Sequence, residues 1–289
     1  MTDAPLLRGV TLIAPSSGTG KTAVAVGIAR ALRRQNIAVD PFKATSVVDI
    51  TDRSSSPLKV YERGVFHNCG AAGVPVRWWN NPVVAVTSGN GRSQLYVRGE
   101  ALGEVPIFGQ DSLDLRAFPP DLRTRCLDAV TQALAILAER GSFVVIEGSG
   151  GAGNLPSRAD LANDVVPLRA GLPVVLIGNV NQEGHLTSLA GLPGVLGEPY
   201  RRLMVGYILN GVRDSARLAD ARERLAQAMP IPELAAVPSY IPPDGYEDSP
   251  HACEVVYERR ADHVASPALL AAISSHALTP LLVSALGES

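Results

Sequence analysis

Residues 9–34 read GVTLIAPSSGTGKTAVAVGIARALRR, and no other stretch constrains the fold as tightly. The apolar run 9–14 has the length and composition of a buried strand. It enters a turn of small residues at 15–20. The turn opens into a segment with Val24, Ile28, Ala31 and Leu32 at helical spacing, which predicts a helix over 21–34. A strand that hands over to a helix through so short a turn favours a layered fold, helix against sheet.

The rest of the chain repeats that alternation. A strand is expected at 37–42 and a helix within 58–72. Strands at 82–87 and 94–97 flank the turn SGNGRS. Leu122, Cys126, Val130, Leu134 and Leu137 mark a long amphipathic helix over 120–140. The runs FVVIE at 143–147, PVVLIG at 173–178 and MVGYIL at 204–209 are continuously apolar, as central parallel strands covered on both faces must be. A polar helix is expected at 215–228. The fold class predicted is α/β, a doubly wound, mostly parallel sheet flanked by helices. One domain over 1–242 is expected. The Pro-rich stretch 238–250 reads as a loop, and 243–289 as a helical tail packed on the same domain.

Composition narrows the function. The chain has 289 residues, and 26 basic against 28 acidic side chains leave a net charge of −2. No positive field exists to neutralise nucleic-acid phosphates, so nucleic acid is not an expected partner. With 46% hydrophobic and 19% charged residues the chain can bury a sizeable core. Its three cysteines, Cys69, Cys126 and Cys253, form no CxxC pair and fit a reducing compartment. The N-terminus lacks a basic leader region, and no run reaches the ~20 apolar residues of a membrane span. A soluble, cytoplasmic protein without membrane contact is expected. Only three lysines occur, Lys21, Lys43 and Lys59, against 23 arginines. A GC-rich genome explains the scarcity, and a lysine that survives it can mark a position where arginine cannot serve.

Residues 16–22, SSGTGKT, carry the first candidate site. Small residues let backbone N–H groups curl around phosphates, and a helix N-terminus adds its positive dipole end. The pattern matches GxxxxGK[ST] except at its first glycine, where Pro15 stands. Ser17, Gly18, Thr19, Gly20, Lys21, Thr22 and Ala23 are the expected nucleotide-binding residues. Lys21 reaches the β/γ-phosphates and the Thr22 hydroxyl holds Mg²⁺. Glu147 ends the strand FVVIE and precedes GSGGAG, where a Mg²⁺-coordinating carboxylate belongs.

With these motifs in place the chain resembles the ATPase domain of the cobyric acid and cobyrinic acid diamide synthases, and dethiobiotin synthetase of the same superfamily. The resemblance rests on APSSGTGKTAVAVGIARALRRQNIAVDPFK, AAGVPVRWWNNPVVAVTSGNGRSQLYVRG, VVIEGSGGAGNLPSRADLAND, PVVLIGNVNQEGHLTSLAG and VGYILNGVRD, in that order across roughly residues 8–250. It implies a P-loop NTPase-like fold with ATP and Mg²⁺ as cofactors. The catalytic residues implied are Lys21, Lys43 and Glu147, with Lys43 near the γ-phosphate and the substrate carboxylate. The metal residues are Thr22, Glu147 and Asp49, although KATSVVDI departs from the family forms around Asp49. Asn210 matches the residue that reads the adenine edge. Asp160 and Asn163 match a substrate-side loop. The implied partners are a small-molecule carboxylate and ammonia or an amine, in a homodimer.

Two departures bear on substrate. Fewer than 50 residues follow Pro242, too few for the glutaminase domain that family synthases carry. Ammonia from a separate glutaminase, free ammonia or an amine is then the expected nitrogen source. In NVNQEG the family's Asp and Arg appear as Asn181 and Gln182, which argues against the usual corrinoid. The leading expectation is an ADP-forming carbon–nitrogen ligase for biosynthesis. The alternatives are a dethiobiotin-synthetase-like carboxylase that closes a ring, a partition-type ATPase switch, and a degenerate binding subunit. The PSSGTG stretch lacks the early signature lysine of the partition ATPases. His67, His185 and Lys59 are expected to be structural or solvated, and Trp78–Trp79 to pack.

Overall fold

The computed structural model describes residues 7–48, 61–89, 91–107, 112–156, 158–239, 261–263 and 265. In chain order the elements are β1 (Arg8–Ile13), α1 (Lys21–Arg34), β2 (Val39–Phe42), β3 (Thr45–Val48) and α2 (Arg63–Ala72). There follow β4 (Val83–Gly89), β5 (Arg92–Val97), β6 (Glu100–Pro106), α3 (Pro120–Arg140), β7 (Phe143–Glu147) and α4 (Val166–Ala170). The last are β8 (Val174–Asn179), α5 (His185–Leu196), α6 (Glu198–Arg201), β9 (Met204–Val212), α7 (Ser215–Ala228) and β10 (Glu233–Pro238).

Six strands form the main sheet in the order β10-β9-β8-β1-β7-β2, and every neighbouring pair is parallel. The three continuous apolar runs are its centre, as their composition demands. β7 and β8 flank β1, and all five residues of β7 are buried. Alternate side chains of β7 feed two different cores. Phe143 and Val145 pack with Val24, Ile28 and Leu32 of α1. Val144 and Ile146 pack with Cys126, Val130, Ala133 and Leu137 of α3. Leu189 of α5 and Leu225 of α7 close a third cluster over Ile13, Leu176 and Leu209. The sheet is therefore covered on both faces, and each fully buried Leu or Val contributes about 1.5–3 kcal/mol of burial.

The strands expected at 82–87 and 94–97 belong elsewhere. They are β4 and β5 of a second, four-stranded sheet, β3-β4-β5-β6, antiparallel except for the β3–β4 pair. Its inner residues Val83, Ala85, Leu95 and Val97 join the α3 core. The sequence did not suggest β3, β6, β10, α5 or the one-turn helices α4 and α6. The strands are short or weakly apolar, and α5 has a proline inside it, Pro193. Trp78 and Trp79 are half-buried and meet edge to face at 5.9 Å, with the Arg98 guanidinium 5.4 Å above the Trp78 ring. They pack against the α3 core, as expected. No helix among the described residues is long and apolar enough to cross a membrane. The expected tail at 243–289 lies almost wholly outside the described residues, as do Asp49, Lys59 and Cys253.

The β1–β7 pairing leaves no room for a side chain at Gly9, where a Cβ would lie 2.0 Å from the Val144 carbonyl oxygen. Gly9→Ala is expected to lower stability by about 1–3 kcal/mol, read from the midpoint of urea unfolding.

Candidate functional site

The carboxyl ends of β1, β7 and β2 lie side by side in the sheet; Glu147 ends β7 and Lys43 follows β2 at once. After β1 the chain runs through buried Ala14 into the phosphate loop. Gly18 and Gly20 take left-handed conformations with φ of 75° and 90°. Gly20 is the N-cap of α1 and offers no side-chain cap, so the first-turn N–H groups of the helix stay available to an anion. A Cβ at Gly20 would fall 2.0 Å from Asn210 Nδ2, so two constraints select glycine there.

The stretch after Glu147 packs directly on this loop. The Gly148 N–H donates to the Leu12 carbonyl (3.0 Å) and the Ala152 N–H to the Ala14 carbonyl (2.9 Å). Lys21 is buried and curls back across the gap, donating to the Gly150 carbonyl (2.6 Å) and the Ser16 carbonyl (3.2 Å). Those carbonyls occupy the ammonium where a phosphate would otherwise compete for it.

Glu147 is the hub. It is 2% exposed, and both its oxygens are engaged. Oε1 accepts from the Thr22 hydroxyl (2.6 Å) and the Lys43 ammonium (3.2 Å), and Oε2 accepts from Asn68 Nδ2 (3.0 Å). Lys43 follows β2 and is held by its own backbone. Its N–H donates to the Asn80 carbonyl (2.8 Å), and its carbonyl accepts from Asn81 Nδ2 (2.9 Å). The ammonium also pairs with Glu62 Oε2 at 2.7 Å. Burial alone would lower the Lys43 pKa, but the Glu147 and Glu62 carboxylates outweigh it and hold the group above its ordinary value. Lys43 is therefore charged throughout the neutral range.

Four expected residues converge on one cavity of about 340 Å³: Lys21, Thr22, Lys43 and Glu147, with Ser17, Gly18, Thr19 and Gly20 lining it too. Ala23 is buried within α1, outside that lining. Asn210 ends up beneath the loop, donating to the Thr19 carbonyl at 2.9 Å. Asp160 and Asn163 lie behind the loop that follows β7. Asp160 caps a π-helical turn at Leu161–Val165, and Asn163 donates to Asp160 and to the Ser149 carbonyl. Burial pushes the Asp160 carboxyl up, against its hydrogen bonds from Asn163 and Ala162.

Two residues of the site escaped the sequence reading. Glu62 is the N-cap of α2 and lines the cavity. Its Oε2 accepts from the Ser46 hydroxyl (2.7 Å) as well as from Lys43. Burial raises the Glu62 pKa, and Lys43 more than cancels this, so the carboxylate is held below its ordinary value. Asn68 sits six residues further along, within α2. Within a stretch expected only as a helix over 58–72, no periodicity separates these two from ordinary surface polar residues. A third link comes from α5. His185, 4% exposed at its start, meets the Ser16 hydroxyl through Nε2 at 2.9 Å. Burial and then the nearby Lys21 ammonium lower the His185 pKa, which favours the neutral ring.

A family model described as "CobQ/CobB/MinD/ParA nucleotide binding domain" matches residues 10–242. The chain belongs to this family. The nucleotide-binding domain it forms resembles the cobyric acid synthase of Mesorhizobium japonicum, at 31% identity over 223 residues. That match covers 74% of this chain and 43% of that protein. The cobyric acid synthase of Allorhizobium ampelinum is 31% identical over 236 residues, covering 81% and 46%. The chain thus spans less than half the length of these relatives. Among solved structures, the septum site-determining protein MinD of Pyrococcus horikoshii, complexed with Mg-ADP, aligns over 95% of this chain and 98% of its own. The sequence identity there is 17% and the TM-score 0.47.

Two expectations follow from this geometry. His185→Ala frees the Ser16 hydroxyl and is expected to raise the ATP dissociation constant about tenfold, measured by calorimetry. His67, buried on α2 beside Asn68, has its pKa pushed down to about 4 by burial and the Arg63 charge. Its contribution to stability is complete above the ordinary value of 6.5 and is lost as pH falls toward 4, because the unfolded chain binds the extra proton. His67→Gln is expected to flatten that part of the stability–pH curve.

Proposed function

We propose that this domain is an ATP-dependent, ADP-forming amide ligase. It activates a small-molecule carboxylate as an acyl phosphate for attack by ammonia or an amine. The observation that supports this most strongly is the pair of buried ammonium groups, Lys21 and Lys43, on one cavity with the Thr22–Glu147 pair. Phosphoryl transfer to a carboxylate brings two anions together, so catalysis is mainly positioning and charge neutralisation. In this reading Lys21 leaves its carbonyl partners for the β/γ-phosphates. Lys43 stands between the γ-phosphoryl group and the incoming carboxylate. An ammonium is a compact point charge that can serve two anions in turn, whereas a guanidinium clamps one plane.

The donor set also fits Mg²⁺. The Thr22 hydroxyl and Glu147 Oε1 are hard oxygen ligands 2.6 Å apart, at the mouth of the phosphate loop. When bound, Mg²⁺ supplies charge neutralisation on the phosphate oxygens. Asn68 fixes the second Glu147 oxygen, which keeps Oε1 turned toward Thr22. The nitrogen source in this reading is ammonia from solution or from a separate glutaminase, or a substrate amine.

ADP release that requires both a carboxylate and ammonium chloride is the expected result. Turnover indifferent to every such pair would sink the proposal. Bicarbonate-dependent ADP formation with a diamine would indicate the ring-closing carboxylase instead. ATP-driven dimerisation without small-molecule turnover would indicate a partition-type switch. Lys43→Ala is expected to lower kcat by about 10²–10³-fold, with no rescue by Lys43→Arg.

A further inference from the structure

One carboxylate of the cavity has no role in the phosphoryl transfer just described. Glu62 faces Glu147 across the Lys43 ammonium, and its side chain is 25% exposed where that of Glu147 is 3% exposed. It is also held in a fixed orientation. Its backbone N–H donates to Asn81 Oδ1 (3.2 Å), and its Oε2 accepts from both Ser46 and Lys43. Among the described residues nothing donates to Oε1, although Glu62 lines the cavity. Asn81 ties the arrangement to Lys43, since its Nδ2 donates to both the Lys43 carbonyl and the Ser46 hydroxyl.

A pinned carboxylate with one open oxygen needs a cationic partner when the cavity fills with anions. Lys21, Lys43, Glu62 and Glu147 together are formally neutral, so they offer no surplus charge for a nucleotide and a second carboxylate. The Mg²⁺ assigned to Thr22 and Glu147 answers the phosphates. At Glu62 the cation already in contact is an ammonium, that of Lys43, at 2.7 Å. A second ammonium offers the same charge, size and N–H donors.

We infer that Glu62 is the subsite for the nitrogen nucleophile: Oε1 binds ammonium, or the aminium end of a primary amine, beside the activated carboxyl. This rests on the amide-ligase reading and extends it to the second half-reaction. The N–H proton passes to Glu62. The electron pair it leaves forms the C–N bond at the acyl-phosphate carbon, the C–O bond breaks with its electrons going to the departing phosphate, and that phosphate takes the second N–H proton as the neutral amide forms. Glu62 then returns its proton to solvent.

Ammonium chloride and hydroxylamine as rival nucleophiles test this at neutral pH, with any carboxylate that supports ADP release by the unmodified protein. Hydroxylamine is largely unprotonated there and attacks without a base. In Glu62→Gln the ratio of amide to hydroxamate is expected to fall about a hundredfold, and half-saturation by ammonium to need more salt. An unchanged ratio overturns the inference. A parallel fall in both products with a raised Mg²⁺ requirement also overturns it, and makes Glu62 a metal ligand. If the Gln variant does not fold, Glu62→Asp replaces it, and the ratio is again expected to fall. If the unmodified protein forms neither product from any carboxylate, the amide-ligase reading itself fails.

Discussion

A single buried carboxylate organises this protein. Glu147 lies at the end of a strand buried along its whole length, where an unpaired charge would cost several kcal/mol. It is tolerated because three donors from three different segments meet it, Thr22, Lys43 and Asn68. Each depends on a different part of the architecture. Thr22 needs the phosphate loop and α1, Lys43 needs the carboxyl end of β2, and Asn68 needs α2 packed on α1. The hub therefore senses whether the two sheet neighbours of β7 and the helix above them are in register.

The second layer of the site is made of backbone. Lys21 rests on the Gly150 and Ser16 carbonyls, and Asn210 and His185 brace the loop from below and from the side through Thr19 and Ser16. The GSGGAG stretch that reads as room for a ligand serves first to let two loops of the protein touch. Pro15, which replaces the usual first glycine, sits between β1 and this packed region. Glu62 adds a second carboxylate, so that Lys43 is shared between two acids before any substrate arrives.

Much of this was legible in the chain, for reasons that differ from residue to residue. The loop and α1 follow from local pattern, since a strand, a Gly-rich turn and GKT are contiguous. Glu147 follows from its place at the end of an apolar run. Lys43 stood out because lysine is scarce in this composition. Glu62 and Asn68 were not legible, because a polar residue on a helix looks the same whether it faces water or a carboxylate. Asp160 and Asn163 were expected on a substrate-side loop and Asn210 at the adenine edge, and in this structure all three bond to the protein's own backbone. A short strand such as β3 carries too few residues for its period to register, so a second sheet was not foreseen.

The amino-acid sequence by itself determined the local units: which runs become buried strands, where α1 begins, and which lysines sit beside strand ends. These depend on residues within a few positions of one another. Only the tertiary structure decided which side chains meet. The contacts that make the site join residues 79, 104 and 125 positions apart, and nothing in local periodicity encodes such pairings. They are set by strand order, which places β2, β7 and β1 side by side and so brings Lys43, Glu147 and the phosphate loop to one edge of the sheet.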